Sequence, residues 1–174
     1  NAFQVAGGVD GATYIYNNVV VSSEVPFLML NRMGNLESPV HLMNNTFVLN
    51  PEKSSTLSIA CTEAWEQPFF VTNNIFTNYA YVGSFIYENA EGVSYSKIIS
   101  QHNANCPING EVYLNGPDTD QEVPGNLYMQ APQDLGLADL EQGDYHLLAG
   151  SPAIGAGEDL SDLVTDDYDG QARP

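Results

Sequence analysis

Two adjacent asparagines set inside short apolar runs recur along the chain, and this constrains the fold more than any other feature. Three copies are plain: Tyr14-Ile15-Tyr16-Asn17-Asn18-Val19-Val20, Leu42-Met43-Asn44-Asn45-Thr46-Phe47 and Val71-Thr72-Asn73-Asn74-Ile75-Phe76. A degenerate fourth, Gln101-His102-Asn103-Ala104-Asn105, and a shortened fifth, Gly125-Asn126-Leu127-Tyr128, continue the series. Counted on the second asparagine, the steps are 27, 29, 29 and 23 residues. A period of that length marks a solenoid.

Each pair is followed by a second apolar run: Phe27-Leu28-Met29-Leu30, Leu57-Ser58-Ile59-Ala60, Ser84-Phe85-Ile86-Tyr87 and Glu111-Val112-Tyr113-Leu114. The runs are short, rich in β-branched and aromatic residues, and bounded by Gly, Pro, Asn and Ser, which is the pattern of strands. Nothing before residue 130 carries a 3.6-residue period. Strands this short cannot close a core alone. Stacking each repeat on the previous one, with parallel pairing at roughly 4.8 Å, closes it. The expected fold is therefore all-β: a right-handed parallel β-helix of about five coils over residues 1–130, with an irregular C-terminal tail from 131 to 174 packed along its side in the same domain.

That fold gives the asparagines a job. A coil corner turns sharply, and Asn tolerates the left-handed backbone region better than most residues. Its amide also offers two donors and an acceptor. Asn18, Asn45, Asn74 and Asn103, stacked at one corner, are expected to hydrogen-bond up and down as a ladder, which satisfies amides that are costly to bury unpaired. Asn44-Asn45-Thr46 is also a glycosylation sequon, but an inward-facing corner argues against a glycan on Asn44.

Composition limits the function. Against 22 acids stand four bases, Arg32, Lys53, Lys97 and Arg173, for a net charge of −18. Binding to nucleic acid needs clustered Lys and Arg, so it is excluded as a partner class. Anionic membranes and polyanions are repelled unless a divalent cation mediates. No apolar run is long enough to span a bilayer. The chain opens on Asn1 rather than Met, so a processed or trimmed N-terminus is expected, which leaves room for a lost signal peptide. Cys61 and Cys106 have no metal-finger spacing and are read as buried thiols in preference to a bridge.

The C-terminal stretch carries a resemblance. Gly143-Asp144-Tyr145-His146-Leu147-Leu148, Gly150-Ser151-Pro152-Ala153-Ile154-Gly155-Ala156-Gly157 and Asp166-Asp167-Tyr168-Asp169-Gly170-Gln171-Ala172-Arg173-Pro174 resemble the closing segment of pectate-lyase-like parallel β-helix proteins, including secreted bacterial surface proteins of the choice-of-anchor type. Two departures are visible: Gly155 stands where the family has Asp, and the chain stops at Pro174 where the family runs on into a short strand. The resemblance implies a secreted or cell-surface protein. It also implies two classes of activity, a non-catalytic structural or adhesive module or a calcium-dependent polysaccharide lyase or other glycan-active enzyme with a glycan ligand.

The residues favour the first class. Lyase chemistry needs a basic side chain beside a cation-neutralised carboxylate. Lys97 lies on an expected strand without an acidic neighbourhood, and Lys53 and Arg32 lie in turns. Arg173 is expected to pair with Asp167 or Asp169. His41, His102 and His146 are read as strand or corner residues. Asp166, Asp167 and Asp169 before Gly170 form the candidate calcium loop, with a turn held by Asx-type bonds as the competing reading. Both ends look cut. The first coil, Gly8 to Val21, is therefore expected to be covered by more of the same chain or by a neighbouring subunit stacked end to end.

Overall fold

A computed structural model describes residues 3–5, 11–21, 28–30, 38–48, 58–59, 67–79, 98–107 and 125–173. The apolar runs at 84–87 and 111–114, the loop at 116–122, residues 8–10, Cys61 and the bases Arg32, Lys53 and Lys97 lie outside these.

The described chain is all-β, its strands gathered in parallel sheets that are compatible with a β-helix. In each of the first repeats, a strand is followed by a pair of strands flanking the asparagines. The first repeat holds β1 (Phe3–Val5), β2 (Thr13–Tyr16) and β3 (Val19–Val21), and the second β4 (Leu28–Leu30), β5 (Val40–Met43) and β6 (Thr46–Val48). The third holds β7 (Ser58–Ile59), β8 (Phe69–Thr72) and β9 (Ile75–Tyr79). The fourth contributes β10 (Ile98–Gln101) and β11 (Ala104–Pro107), and the fifth β12 (Leu127–Tyr128). Corresponding strands pair in parallel, giving sheets in the orders β1-β4-β7, β10-β8-β5-β2 and β12-β11-β9-β6-β3. The strands of the first repeat are thus edge strands in all three.

Register follows the asparagines. Ile15, Leu42 and Val71 align across β2, β5 and β8, and Val20, Phe47 and Phe76 align across β3, β6 and β9. Alternation along each strand decides which side chain goes inward. In β5, Val40 and Leu42 are buried while His41 between them is half-buried. The Phe47 and Phe76 rings are fully buried and stack at 5.0 Å and 6°. Burying a side chain of this size contributes about 2–3 kcal/mol.

The C-terminal segment is more ordered than an irregular tail. A 3-10 turn over Pro132–Leu135 leads into a hairpin of β13 (Leu137–Asp139) and β14 (Asp144–Leu147), the one antiparallel strand pair among the described residues. Pro132 presets the backbone of the turn, and the Asp134 carboxylate accepts the Ala131 N–H at 3.0 Å. Leu135 is fully buried beside Ala104, Cys106 and Met129, so the turn closes the apolar interior at the far end of the stack. Cys106 is a free thiol there. Burial, with the nearby Asp134 charge, pushes its pKa up to about 12. It is inert as a nucleophile at neutral pH.

Candidate functional site

The corners between paired strands have one construction. The first corner residue takes the left-handed conformation, with φ 55° at Asn17, 53° at Asn44, 58° at Asn73 and 54° at His102. The next residue is an asparagine whose side chain turns inward. Two residues thus carry the chain from one sheet to the next.

The inner row is continuous. The backbone N–H of Asn18 donates to Asn45 Oδ1 at 3.1 Å and its Nδ2 to the same oxygen at 2.9 Å. Asn45 repeats both bonds to Asn74, at 3.1 and 3.0 Å, and Asn74 to Asn103, at 2.8 and 3.1 Å. The Asn103 N–H donates to Asn126 Oδ1 at 2.6 Å, so Asn126 joins the four asparagines singled out from the repeat. The Nδ2 groups also reach main-chain carbonyls: Ile15 and Met43 for Asn45, and Leu42 and Thr72 for Asn74. Asn45, Asn74 and Asn103 are at most 1% exposed. Each buried amide is satisfied at both ends, as burial demands.

The outer row faces the C-terminal segment. Asn17 donates from Nδ2 to the Asp166 carbonyl at 2.6 Å, and its Oδ1 accepts from Arg173 at 2.8 Å. Asn73 and the Glu158 main chain exchange a reciprocal pair of bonds, both 2.8 Å. The Gln101 amide donates to the Glu158 carboxylate at 2.8 Å, and a ring nitrogen of His102 lies 3.3 Å from the Ala156 carbonyl. Close approach selects glycine at two points. A Cβ at Gly157 would stand 3.0 Å from the Asn73 carboxamide, and one at Gly125 would stand 2.7 Å from the His102 ring. Asn44 sits between the clipped corners, half-buried, its side chain without a partner among the described residues. Asn44 belongs to this outer row rather than to the inward-facing one. The sequon corner therefore divides its two asparagines between opposite faces.

Above Asn44, the segment arches over a cleft of about 640 Å³, lined among others by His102, Tyr145, His146, Asp169 and Arg173. His146 stands between two carboxylates, Asp144 at Nδ1 and Asp169 at Nε2, the latter at 2.8 Å. With a carboxylate oxygen at each nitrogen, the protonated ring is favoured. The bonds to Asp144 and then Asp169 raise its pKa above the ordinary value, and the same His146 contact lowers that of Asp144.

Arg173 does not pair with Asp167 or Asp169. Its Nε donates to the Asp166 carbonyl at 2.9 Å and its Nη2 to Asn17 Oδ1. The reason is local. Asp167 Oδ1 already accepts the N–H groups of Asp169 and Gln171, at 3.0 and 2.8 Å, and Asp169 faces His146. An Asx-type turn therefore organises the loop that carries Asp166, Asp167 and Asp169. Among the described residues, no three His, Cys, Asp or Glu side chains gather as a cation would require. Asp159, also on the cleft, accepts from Ser161 N–H at 3.0 Å.

His41 lies in β5 with its ring stacked between Tyr14 and Phe70, at 4.8 and 4.6 Å. Desolvation lowers its pKa. The sequence reading missed the pairing of His146 with Asp169, 23 residues away and outside the periodic pattern, and the clipping of the tail by Asn17 and Asn73. No helix among the described residues is long and apolar enough to cross a membrane. No family model, no curated protein and no solved structure matches the chain.

Proposed function

We propose that the chain is a right-handed parallel β-helix module with a non-catalytic structural or adhesive role in a secreted or cell-surface protein. Residues 1–130 are the coils and residues 131–174 a strap fastened along their side, within one domain. The carrying observation is how the polar groups around the cleft are engaged. Glu158, Asp159, Asp167, Asp169, His146 and Arg173 all bond within the protein, fastening the tail or shaping its turns. General acid–base work needs groups aimed at a substrate instead. Among the described residues Arg173 is the sole Lys or Arg, and it is occupied by Asn17 and Asp166.

The secreted setting rests on the resemblance of the closing segment to pectate-lyase-like β-helix proteins and on the strongly acidic composition. The test is a screen of polysaccharides for depolymerisation, with and without calcium. No product is expected under either condition. Calcium-dependent release of unsaturated or reducing sugars would replace this reading with that of a glycan-active enzyme.

A further inference from the structure

The inner row has a direction. In every bond from Asn18 to Asn126, the residue earlier in the chain donates and the later one accepts. At the late end Asn126 has accepted, its own Nδ2 donates to the Tyr128 hydroxyl at 3.2 Å, and the Pro132–Leu135 turn covers the interior. At the early end, Asn18 Oδ1 accepts from nothing among the described residues, although each following Oδ1 accepts from a neighbouring repeat.

A second, independent stack is open at the same end. Tyr14, His41 and Phe70 lie ring over ring with interplanar angles of 14° and 10°, and they occupy one register position. His41 covers one face of the Tyr14 ring, and the residue remains 47% exposed. Each stacked ring precedes the inner-row asparagine of its repeat by four residues: Tyr14 and Asn18, His41 and Asn45, Phe70 and Asn74. The strands bearing both open groups, β2 and its neighbour β3, are sheet edges, and Val21 in β3 is 60% exposed.

We infer that the β2–β3 edge docks a protein segment of this same repeat pattern, a strand–corner–strand unit bearing a planar side chain four residues before an asparagine. That asparagine donates its N–H and Nδ2 to Asn18 Oδ1. The planar group covers Tyr14, and the flanking strands add in parallel to β2 and β3. The mode is β-strand addition, in which main-chain bonds give affinity and side chains at fixed register give selectivity. A glycan or an apolar surface meets the exposed tyrosine equally well but has no reason to depend on an asparagine donor. A second copy docking through its own late end is disfavoured, because that end is already turned over by Pro132–Leu135.

The inference rests on the β-helix reading, and its test is separate from the glycan screen. A peptide with the sequence of residues 38–50 is titrated onto the full chain, followed by hydrogen exchange and thermal melting. Saturable binding, slowed exchange in β2 and β3, and at least tenfold weaker binding of the same peptide carrying Asn45→Ala are expected, about 1.4 kcal/mol for the lost donor. A second form removes the entropic handicap of a free peptide. Residues 22–48 are duplicated ahead of Asn1, which should raise the melting temperature, and Asn45→Ala in the added copy should cancel the rise. Equal behaviour of the Asn and Ala versions in both formats would overturn the inference. Concentration-dependent self-association of the unmodified chain that protects β2 and β3 would do so too, by naming a second copy as the occupant. Sugar release in the glycan screen would leave these outcomes unchanged.

Discussion

Adjacent asparagines with the same side chain hold different positions in this protein. In the inner row, Asn45 and Asn74 are at most 1% exposed and every amide group is bonded. In the outer row, Asn17 and Asn73 fasten the C-terminal segment, and Asn44 fastens nothing among the described residues. The difference teaches that one residue type is selected twice for separate reasons. Inside, the reason is a carboxamide that can donate and accept at once in a dry corner. Outside, it is tolerance of positive φ, with tail contacts added where the tail comes near.

Substitutions should pull the two rows apart. Asn74→Ala is expected to be the most damaging. It removes the acceptor for Asn45 and the donors to Leu42, Thr72 and Asn103, leaving buried groups unpaired at about 1–3 kcal/mol each. A loss of about 3–5 kcal/mol in urea unfolding is the expected reading. A loss below that of the neighbouring outer-row variant would abolish the distinction between rows.

Asn73→Ala should cost about 1–2 kcal/mol, from left-handed strain and the exposed bonds to Glu158. Its clearest sign should be faster hydrogen exchange in residues 155–160, with the strands near wild type. Uniformly faster exchange throughout would mean that the outer row is as structural as the inner. Asn44→Gly isolates conformation from contact. Glycine takes φ 53° without strain, so stability should stay within about 0.5 kcal/mol of wild type. A larger loss would reveal a contact at Asn44 that the comparison denies.

The smallest effect is pH-dependent and belongs to the tail alone. The pKa of His146 is raised in the folded protein, first by Asp144 and then by Asp169. Its contribution is complete below the unfolded value near 6.5 and fades as pH rises through the raised folded value. The pKa of Asp144 is lowered, so its contribution is complete above the unfolded value near 3.8 and fades as pH falls through the lowered one. Tail protection should therefore be greatest between these values. His146→Gln should flatten the alkaline side of a protection-versus-pH curve and leave exchange in β5 and β8 unmoved.

The all-β architecture with parallel sheets is legible in the sequence because its causes recur. Every corner needs a residue that accepts positive φ followed by one that bonds upward and downward, and such requirements leave a periodic trace. The inner and outer roles of Asn44 and Asn45 are not separable that way, since both positions read as asparagine. The tail contacts leave no trace at all. Asn17 and Arg173 meet across 156 residues with nothing periodic to mark them. The expected pairing of Arg173 with Asp167 or Asp169 followed proximity in sequence, whereas the turn had already committed the Asp167 carboxylate and His146 the Asp169 one. The β13–β14 hairpin was hidden for a related reason. Its strands are three and four residues long, and only the second alternates half-buried with exposed positions.

The bond from Asn17 to Asp166 joins positions 149 residues apart, whereas successive corners are linked over 23, 27 or 29. Loop-closure entropy separates these two kinds of contact in time. Corners can add one after another, each new repeat finding its template already in place. The clasp to Asn17 can form only once both ends of the described stack exist. If the repeats assemble from the N-terminal end, this clasp would be the last contact to form and the first free to open, tying the earliest strand pair to the latest stretch of chain.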